Sequence, residues 1–360
     1  MAIKKSDTES FIELGKTCPV IDVRSPGEYE HAHIPGAYSV PLFSDEERKV
    51  VGTAYKQKNR ETAIKLGLDF FGPKMRQMVE TVEAIVKKHA APGYSVSGKQ
   101  ILVHCWRGGM RSAAVAWLLD LYGFNVYTLV GGYKKYRQYV LAQLELKYPF
   151  KVLGGYTGSG KTYVLEEMEK RKRVVINLEF IAKHKGSAFG AIGMPKQPSQ
   201  EMFENLLAKE LAEKKEEDEI WVEDESQRIG LVNVPINLWN HIRTCTIFFL
   251  DIPFEERLKH ITEEYGQLNR ERVKAAIIRI GKRLGPLETK TALQLLEEEN
   301  ITECFRILLK YYDKWYLRGL NNREGLNEIL TSVPAPNVHA VENANRLSAL
   351  LAEKENKIHS

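Results

Sequence analysis

The sequence predicts an α/β protein: two consecutive parallel-sheet modules, then a helical C-terminal region. Three observations carry that expectation. Short apolar runs alternate with helix-spaced segments through residues 1–253. Two of those runs lead directly into a glycine-rich loop and then a helix pattern, an arrangement that presents backbone N–H groups to an anion. From Phe254 onward the apolar spacing is almost wholly helical.

In the first module, residues 19–23, 101–105 and 125–130 read as buried strands, with a helix over 109–121 between the last two. Residues 133–148 read as an exposed connecting helix that Pro149 ends. The second module has strands at 150–154, 174–177, 219–223 and 245–250 and a helix over 160–171. This predicts a first domain over 1–133, a linker helix over 134–149, a second domain over 150–253 and a helical region over 254–360. Residues 353–360 are expected to fray.

Composition narrows the class. With 43% hydrophobic and 28% charged residues, the chain is neither mainly disordered nor fibrous. No apolar run has the length of a membrane span, and the first residues turn polar at once. Cys18, Cys105, Cys245 and Cys304 are scattered, with no C-x-x-C pair, so neither a disulfide framework nor a cysteine-rich zinc site is expected. Cys18, Cys245 and Cys304 fall in apolar patterns and read as core. A soluble, cytoplasmic protein with no membrane partner is the expectation. Residues 51–150 hold 15 basic against 6 acidic residues, a balance that suits a polyanion.

The segment Gly155-Tyr-Thr-Gly158-Ser159-Gly160-Lys161-Thr162 fills every fixed position of G-x-x-x-x-G-K-[ST] between a strand and a helix. It therefore reads as a P-loop, the mark of a P-loop NTPase-like α/β domain. Its glycines turn N–H groups toward phosphate oxygens, Lys161 adds a mobile positive charge, and Thr162 is placed to hold Mg²⁺. Glu223 or Asp224, at the end of a later strand, is the candidate acidic partner. Asn177 and Glu179 are weaker candidates.

The segment His104-Cys105-Trp106-Arg107-Gly-Gly-Met-Arg111-Ser112 also joins a strand to a helix. Helix N–H groups and two arginines around Cys105 favour thiolate over thiol, so Cys105 reads as a nucleophile whose tetrahedral anion Arg107 and Arg111 grip. Sulfur or selenium transfer and phosphate-ester hydrolysis both use such a loop, since Cys105 and Arg111 also satisfy C-x5-R.

The upstream segment 20–37, with Asp22, Arg24, Glu28, His33 and Pro35, resembles the N-terminal signature of rhodanese domains, and 130–133 resembles their closing turn. A rhodanese-like module joined to a P-loop module resembles the tRNA 2-selenouridine synthase family. The more specific stretches are 41–57, 105–112 and 221–230. The resemblance implies geranylation of wobble 2-thiouridine in tRNA by geranyl diphosphate, then replacement of the alkylated sulfur by selenium from selenophosphate. That donor would come from a selenophosphate synthetase. Asp22 and Arg24 would be architectural and Cys105 would carry the chalcogen. The alternative is a rhodanese-fold cysteine phosphatase or sulfurtransferase fused to a nucleotide-binding P-loop module.

For such a tRNA substrate, Arg272, Arg279 and Arg283 share one side of a helical stretch over 269–283. Lys134, Lys135 and Arg137 form a second candidate contact, and Trp106 is placed to stack on an unpaired base. The Gly-rich apolar segment 188–195 is a candidate lining for the geranyl chain.

Overall fold

The computed structural model describes residues 3–89, 99–266 and 269–358. The chain divides into two compact units. One comprises Met1–Gln143 with Glu204–Lys209, the other Leu144–Phe203 with Glu210–Ser360.

The first unit is built on a five-stranded parallel sheet. Its order is Lys4–Ser6, Asn125–Leu129, Gln100–His104, Val20–Asp22, Tyr38–Ser39. The central strand is buried at four of its five positions and leads straight into the cysteine loop. Such continuous apolar strands mark a sheet covered on both faces. Helix Met110–Tyr122 and part of helix Met75–His89 pack over it, with Val82, Val103, Val115, Leu119 and Phe124 in the core.

The helix expected over 133–148 runs over Gly132–Leu144 and is not an exposed linker. Tyr133, Tyr136, Val140 and Leu144 form a buried stripe along it, and all but its last residue count with the first unit. Their spacing follows the helical repeat. Charged residues at 134, 135 and 137 obscure that stripe in the sequence.

The second unit has its own five-stranded parallel sheet. The order is Leu330–Pro334, Ile247–Asp251, Phe150–Gly155, Ile220–Glu223, Val175–Ile176. One of these strands lies in the part of the chain expected to be almost wholly helical. Leu330–Pro334 pairs in register with Ile247–Asp251, and Val333, Ala344 and Leu347 join the core around Trp221 and Phe248. Residues 254–360 are therefore not a region apart from the second sheet. A second core joins helices Phe254–Tyr265, Arg270–Leu284, Pro286–Glu297 and Ile301–Asn321 around Ile277, Phe305 and Leu308.

Of the cysteines read as core, Cys304 is buried, whereas Cys18 and Cys245 are half-buried beside strand starts. Among the described residues no helix is long and apolar enough to cross a membrane.

Candidate functional site

Each glycine-rich loop sits at the C-terminal end of an interior strand of its sheet, where open α/β sheets place ligands.

In the first unit, Cys105 is buried (3% exposed), while Trp106 to Met110 above it are exposed. Its Sγ lies 3.2 Å from Ser112 Oγ, which donates to the Gly109 carbonyl at 3.1 Å. The following helix starts at Met110, so its free N–H groups face the loop.

The loop is strapped to the turn at 131–133. Tyr133 N–H donates to the Cys105 carbonyl at 2.8 Å and Lys134 N–H to the Trp106 carbonyl at 2.9 Å. This approach requires glycine. Gly132 has φ +59°, and a Cβ there would meet the Cys105 carbonyl oxygen at 2.4 Å. Beneath it, Asp22 and Arg24 form a fully buried ion pair at 2.6 Å, with the guanidinium 3.8 Å from the Tyr133 ring. Both residues are architectural.

Arg111 does not face an open anion site. Its guanidinium pairs with Glu28 at 2.7 Å, and Arg48 pairs with the same carboxylate at 2.9 Å. Burial raises the Glu28 carboxyl, but Arg111 and Arg48 outweigh it and hold the group below its ordinary range. Arg107 is exposed on the loop. Trp106 is 37% exposed and leans on Tyr133, with ring centroids 5.7 Å apart.

In the second unit, Gly155, Gly158 and Gly160 all have positive φ. Lys161 Nζ donates to the Gly155 carbonyl at 2.9 Å, and Thr162 Oγ1 to Glu179 Oε2 at 3.2 Å. Ser159 Oγ is buried without a hydrogen-bond partner, an orphan that a bound phosphate oxygen would satisfy. Buried Arg257 steadies the loop by donating to the Thr157 carbonyl at 3.1 Å while clamped by Asp313.

Beside the loop stand Glu179, Glu223 and Glu225, each with a carboxylate oxygen within 4.8 Å of the others. Burial, then the charge of Glu223, pushes Glu179 up to about 8. Glu223 is raised by burial and by Glu225, and Glu225 by burial and by Glu179, with Lys161 opposing in each case. Three crowded carboxylates with shared high proton affinity, next to a P-loop threonine, are a donor set of the hard-oxygen type that Mg²⁺ takes.

Asp224 belongs elsewhere. It is ion-paired to Arg323 and accepts from Tyr316 Oη at 2.6 Å, while that oxygen accepts from Gly155 N–H at 3.1 Å. Asn177 caps the helix Leu178–Ala182. Of the two acidic candidates at the strand end, Glu223 alone joins the cluster, and its third member, Glu225, went unassigned in the sequence.

A cavity of about 590 Å³ opens from this loop. Gly158–Thr162 and the three glutamates line one part. Phe305, Leu308, Leu309, Tyr312 and Trp315 of helix Ile301–Asn321 line another. From the segment 188–195, Phe189 alone lines it, and Phe189, Ala188 and Ile192 all pack into the helical core. The helical wall was missed, although the i, i+3, i+7, i+10 spacing of 305, 308, 312 and 315 carries the signal.

Arg272, Arg279 and Arg283 are exposed along helix Arg270–Leu284, opposite buried Val273, Ala276 and Ile277. Lys134 and Lys135 are exposed, but Arg137 is bound to Glu204 and Asn205 and is not free for a phosphate.

A family model described as the tRNA 2-selenouridine synthase AAA domain matches residues 148–343, and a rhodanese-like domain model matches 7–139. A tRNA 2-selenouridine synthase from Hydrogenovibrio crunogenus is 35% identical over 349 residues, covering 87% of this chain and 92% of the relative. One from Nitrosomonas eutropha is 30% identical, covering 85% and 89%. One from Nitrosomonas europaea is 36% identical over 256 residues, covering 69% of this chain and 63% of the relative, short of two thirds of its length. With a cysteine loop on one parallel sheet, a phosphate loop on another, and relatives matched along most of its length, the chain belongs to the tRNA 2-selenouridine synthase family.

Proposed function

We propose that the chain converts wobble 2-thiouridine in tRNA to 2-selenouridine in two steps, one at each loop. In the first, the 2-thiouridine sulfur attacks C1 of geranyl diphosphate. The C–O bond breaks, pyrophosphate leaves with the bonding pair, and N3 gives up its proton. In the second, selenium of selenophosphate adds at C2 and the geranylthiolate departs and takes a proton. Water then cleaves the P–Se bond and releases phosphate.

The observation that supports the first step is the mixed character of the 590 Å³ cavity. It offers phosphate-binding backbone and Lys161 in one part and aromatic and aliphatic walls in another, as a diphosphate joined to an isoprenoid chain requires. Lys161 and the loop N–H groups would stabilise the departing pyrophosphate. Thr162, Glu179, Glu223 and Glu225 would hold Mg²⁺, which supplies further charge neutralisation when bound.

At the cysteine loop, the N–H groups at the start of helix Met110–Tyr122 and Arg107 would hold selenophosphate, with Cys105 at the foot of the loop. Arg111, occupied by Glu28, sets the shape of the loop rather than binding the anion. The exposed arginines 272, 279 and 283 and lysines 134 and 135 are the proposed tRNA backbone contacts.

The test is nucleoside mass spectrometry of 2-thiouridine tRNA incubated with the purified protein, first with geranyl diphosphate and then with selenophosphate. S-geranyl-2-thiouridine followed by 2-selenouridine is expected. Unchanged tRNA together with phosphate release from an aryl phosphate would favour the phosphatase reading instead.

A further inference from the structure

The first unit holds a second cavity, of about 570 Å³, that neither step above uses. Its floor is apolar, with Phe43, Val51, Ile64, Leu68 and Phe71. Helices Asp45–Gln57 and Arg60–Phe71 supply two walls. The third is the start of helix Met110–Tyr122, where Met110 and Arg111 belong to the cysteine loop itself.

Two features separate this groove from ordinary core. Three of its apolar side chains stand open to water over buried Phe43 and Phe71: Ile64 is 38% exposed, Leu68 56% and Met110 47%. Apolar surface gathered into a concave site marks a ligand position. Its rim is cationic at Lys49 and Lys56, while the flanking Arg48 and Arg111 are paired with Glu28. Arg48 and Arg111 share Glu28, so the rim and the cysteine loop are tied through one carboxylate. An apolar floor under a cationic rim fits a ligand with an apolar chain on an anionic body.

We infer that this groove holds the geranyl chain of the S-alkylated uridine while its sulfur is displaced, with the RNA phosphates on the Lys49–Lys56 rim. The inference rests on the two-step reading above. In the second step the alkylated sulfur has to reach the cysteine loop, and its chain needs apolar cover there. The groove begins at Met110, on that loop. A nucleoside still carrying unmodified sulfur gains nothing from it, so the groove selects the alkylated intermediate over the starting 2-thiouridine.

The test uses the full-length protein and an anticodon stem-loop RNA carrying preformed S-geranyl-2-thiouridine or its S-methyl counterpart. Binding is measured first, then conversion to 2-selenouridine with selenophosphate. Wild-type protein should bind the S-geranyl RNA at least tenfold more tightly. Leu68→Asp and Ile64→Asp should abolish that preference and leave S-methyl binding unchanged. Lys65→Asp, at an exposed position outside the groove, should behave as wild type, and circular dichroism confirms that each variant is folded.

Equal affinity of wild type for the two RNAs overturns the inference, as does equal loss of both in Leu68→Asp. Sedimentation gives a third arm: a dimer that Leu68→Asp dissociates without changing the S-geranyl preference would assign the groove to a second copy of the chain. Because binding is read with preformed S-geranyl RNA, failure of the protein to geranylate 2-thiouridine would sink the two-step reading without altering the measured S-geranyl preference.

Discussion

Thr162 Oγ1 donates a 3.2 Å hydrogen bond to Glu179 Oε2, which ties the last residue of the phosphate loop to the carboxylate cluster. The glutamates are crowded enough that burial and mutual repulsion raise Glu179 from an ordinary 4.5 to about 8. The folded protein therefore holds more protons than the unfolded chain between those values. Stability should fall as pH rises through that window. The proposed Mg²⁺ would take the ionised form, so saturation at about 100 times its Kd should restore about 2.7 kcal/mol near pH 8 and little near pH 5. Thermal denaturation across pH with and without Mg²⁺ checks this, and Glu225→Gln should flatten both responses.

Glu28, shared by Arg111 and Arg48, is a positioning residue for the cysteine loop. Glu28→Gln should cost about 1–2 kcal/mol in urea unfolding at neutral pH. Because the Glu28 pKa is depressed, its contribution is present above the ordinary carboxylate range and is lost as pH falls through the folded value. The gap between wild type and variant should therefore narrow on acidification.

Gly132 separates backbone strain from collision. Gly36 has φ +89° with nothing within 4 Å of an added Cβ, so Gly36→Ala should cost about 1 kcal/mol from conformation alone. At Gly132 the same change also drives a methyl group into the Cys105 carbonyl and Gly108 nitrogen. Gly132→Ala should cost about 3 kcal/mol or more and remove selenouridine formation, as read by unfolding and by nucleoside analysis.

Tyr316 links the second sheet's strand ends, donating to Asp224 and accepting from Gly155 N–H. Tyr316→Phe leaves that N–H unpartnered and Asp224 with Arg323, a loss of about 1–3 kcal/mol. The KM for geranyl diphosphate should rise several-fold, with a smaller change in kcat, because the loop's anchorage rather than its reacting groups is altered. Steady-state kinetics separates the two effects.

Both glycine-rich loops were legible in the sequence because their geometry depends on residues close together in the chain. Strand, glycines and helix start are contiguous at 101–112 and at 150–162, and the strands flanking each loop fall within a residue or two of their expected places. What escaped depends on long-range pairing. Leu330–Pro334 is an edge strand only because Ile247–Asp251 offers it a partner, and nothing local marks it as a strand. The same reason hid Glu28 as the partner of Arg111, 83 residues away, and Arg323 as the partner of Asp224, 99 away. Glu225 is a different case. Once Ile220–Glu223 is placed as a strand, the residue two beyond its end is a natural companion to Glu223, but three acidic residues in a row do not say which one turns inward.

The division of labour between the loops is tested most directly by nucleoside mass spectrometry of 2-thiouridine tRNA treated with Cys105→Ser and, separately, with Lys161→Ala, both co-substrates present. Cys105→Ser should accumulate S-geranyl-2-thiouridine and form no 2-selenouridine, while Lys161→Ala should leave 2-thiouridine unconverted. Loss of geranylation in Cys105→Ser, with Lys161→Ala still geranylating, would contradict the assignment of the two steps to their loops.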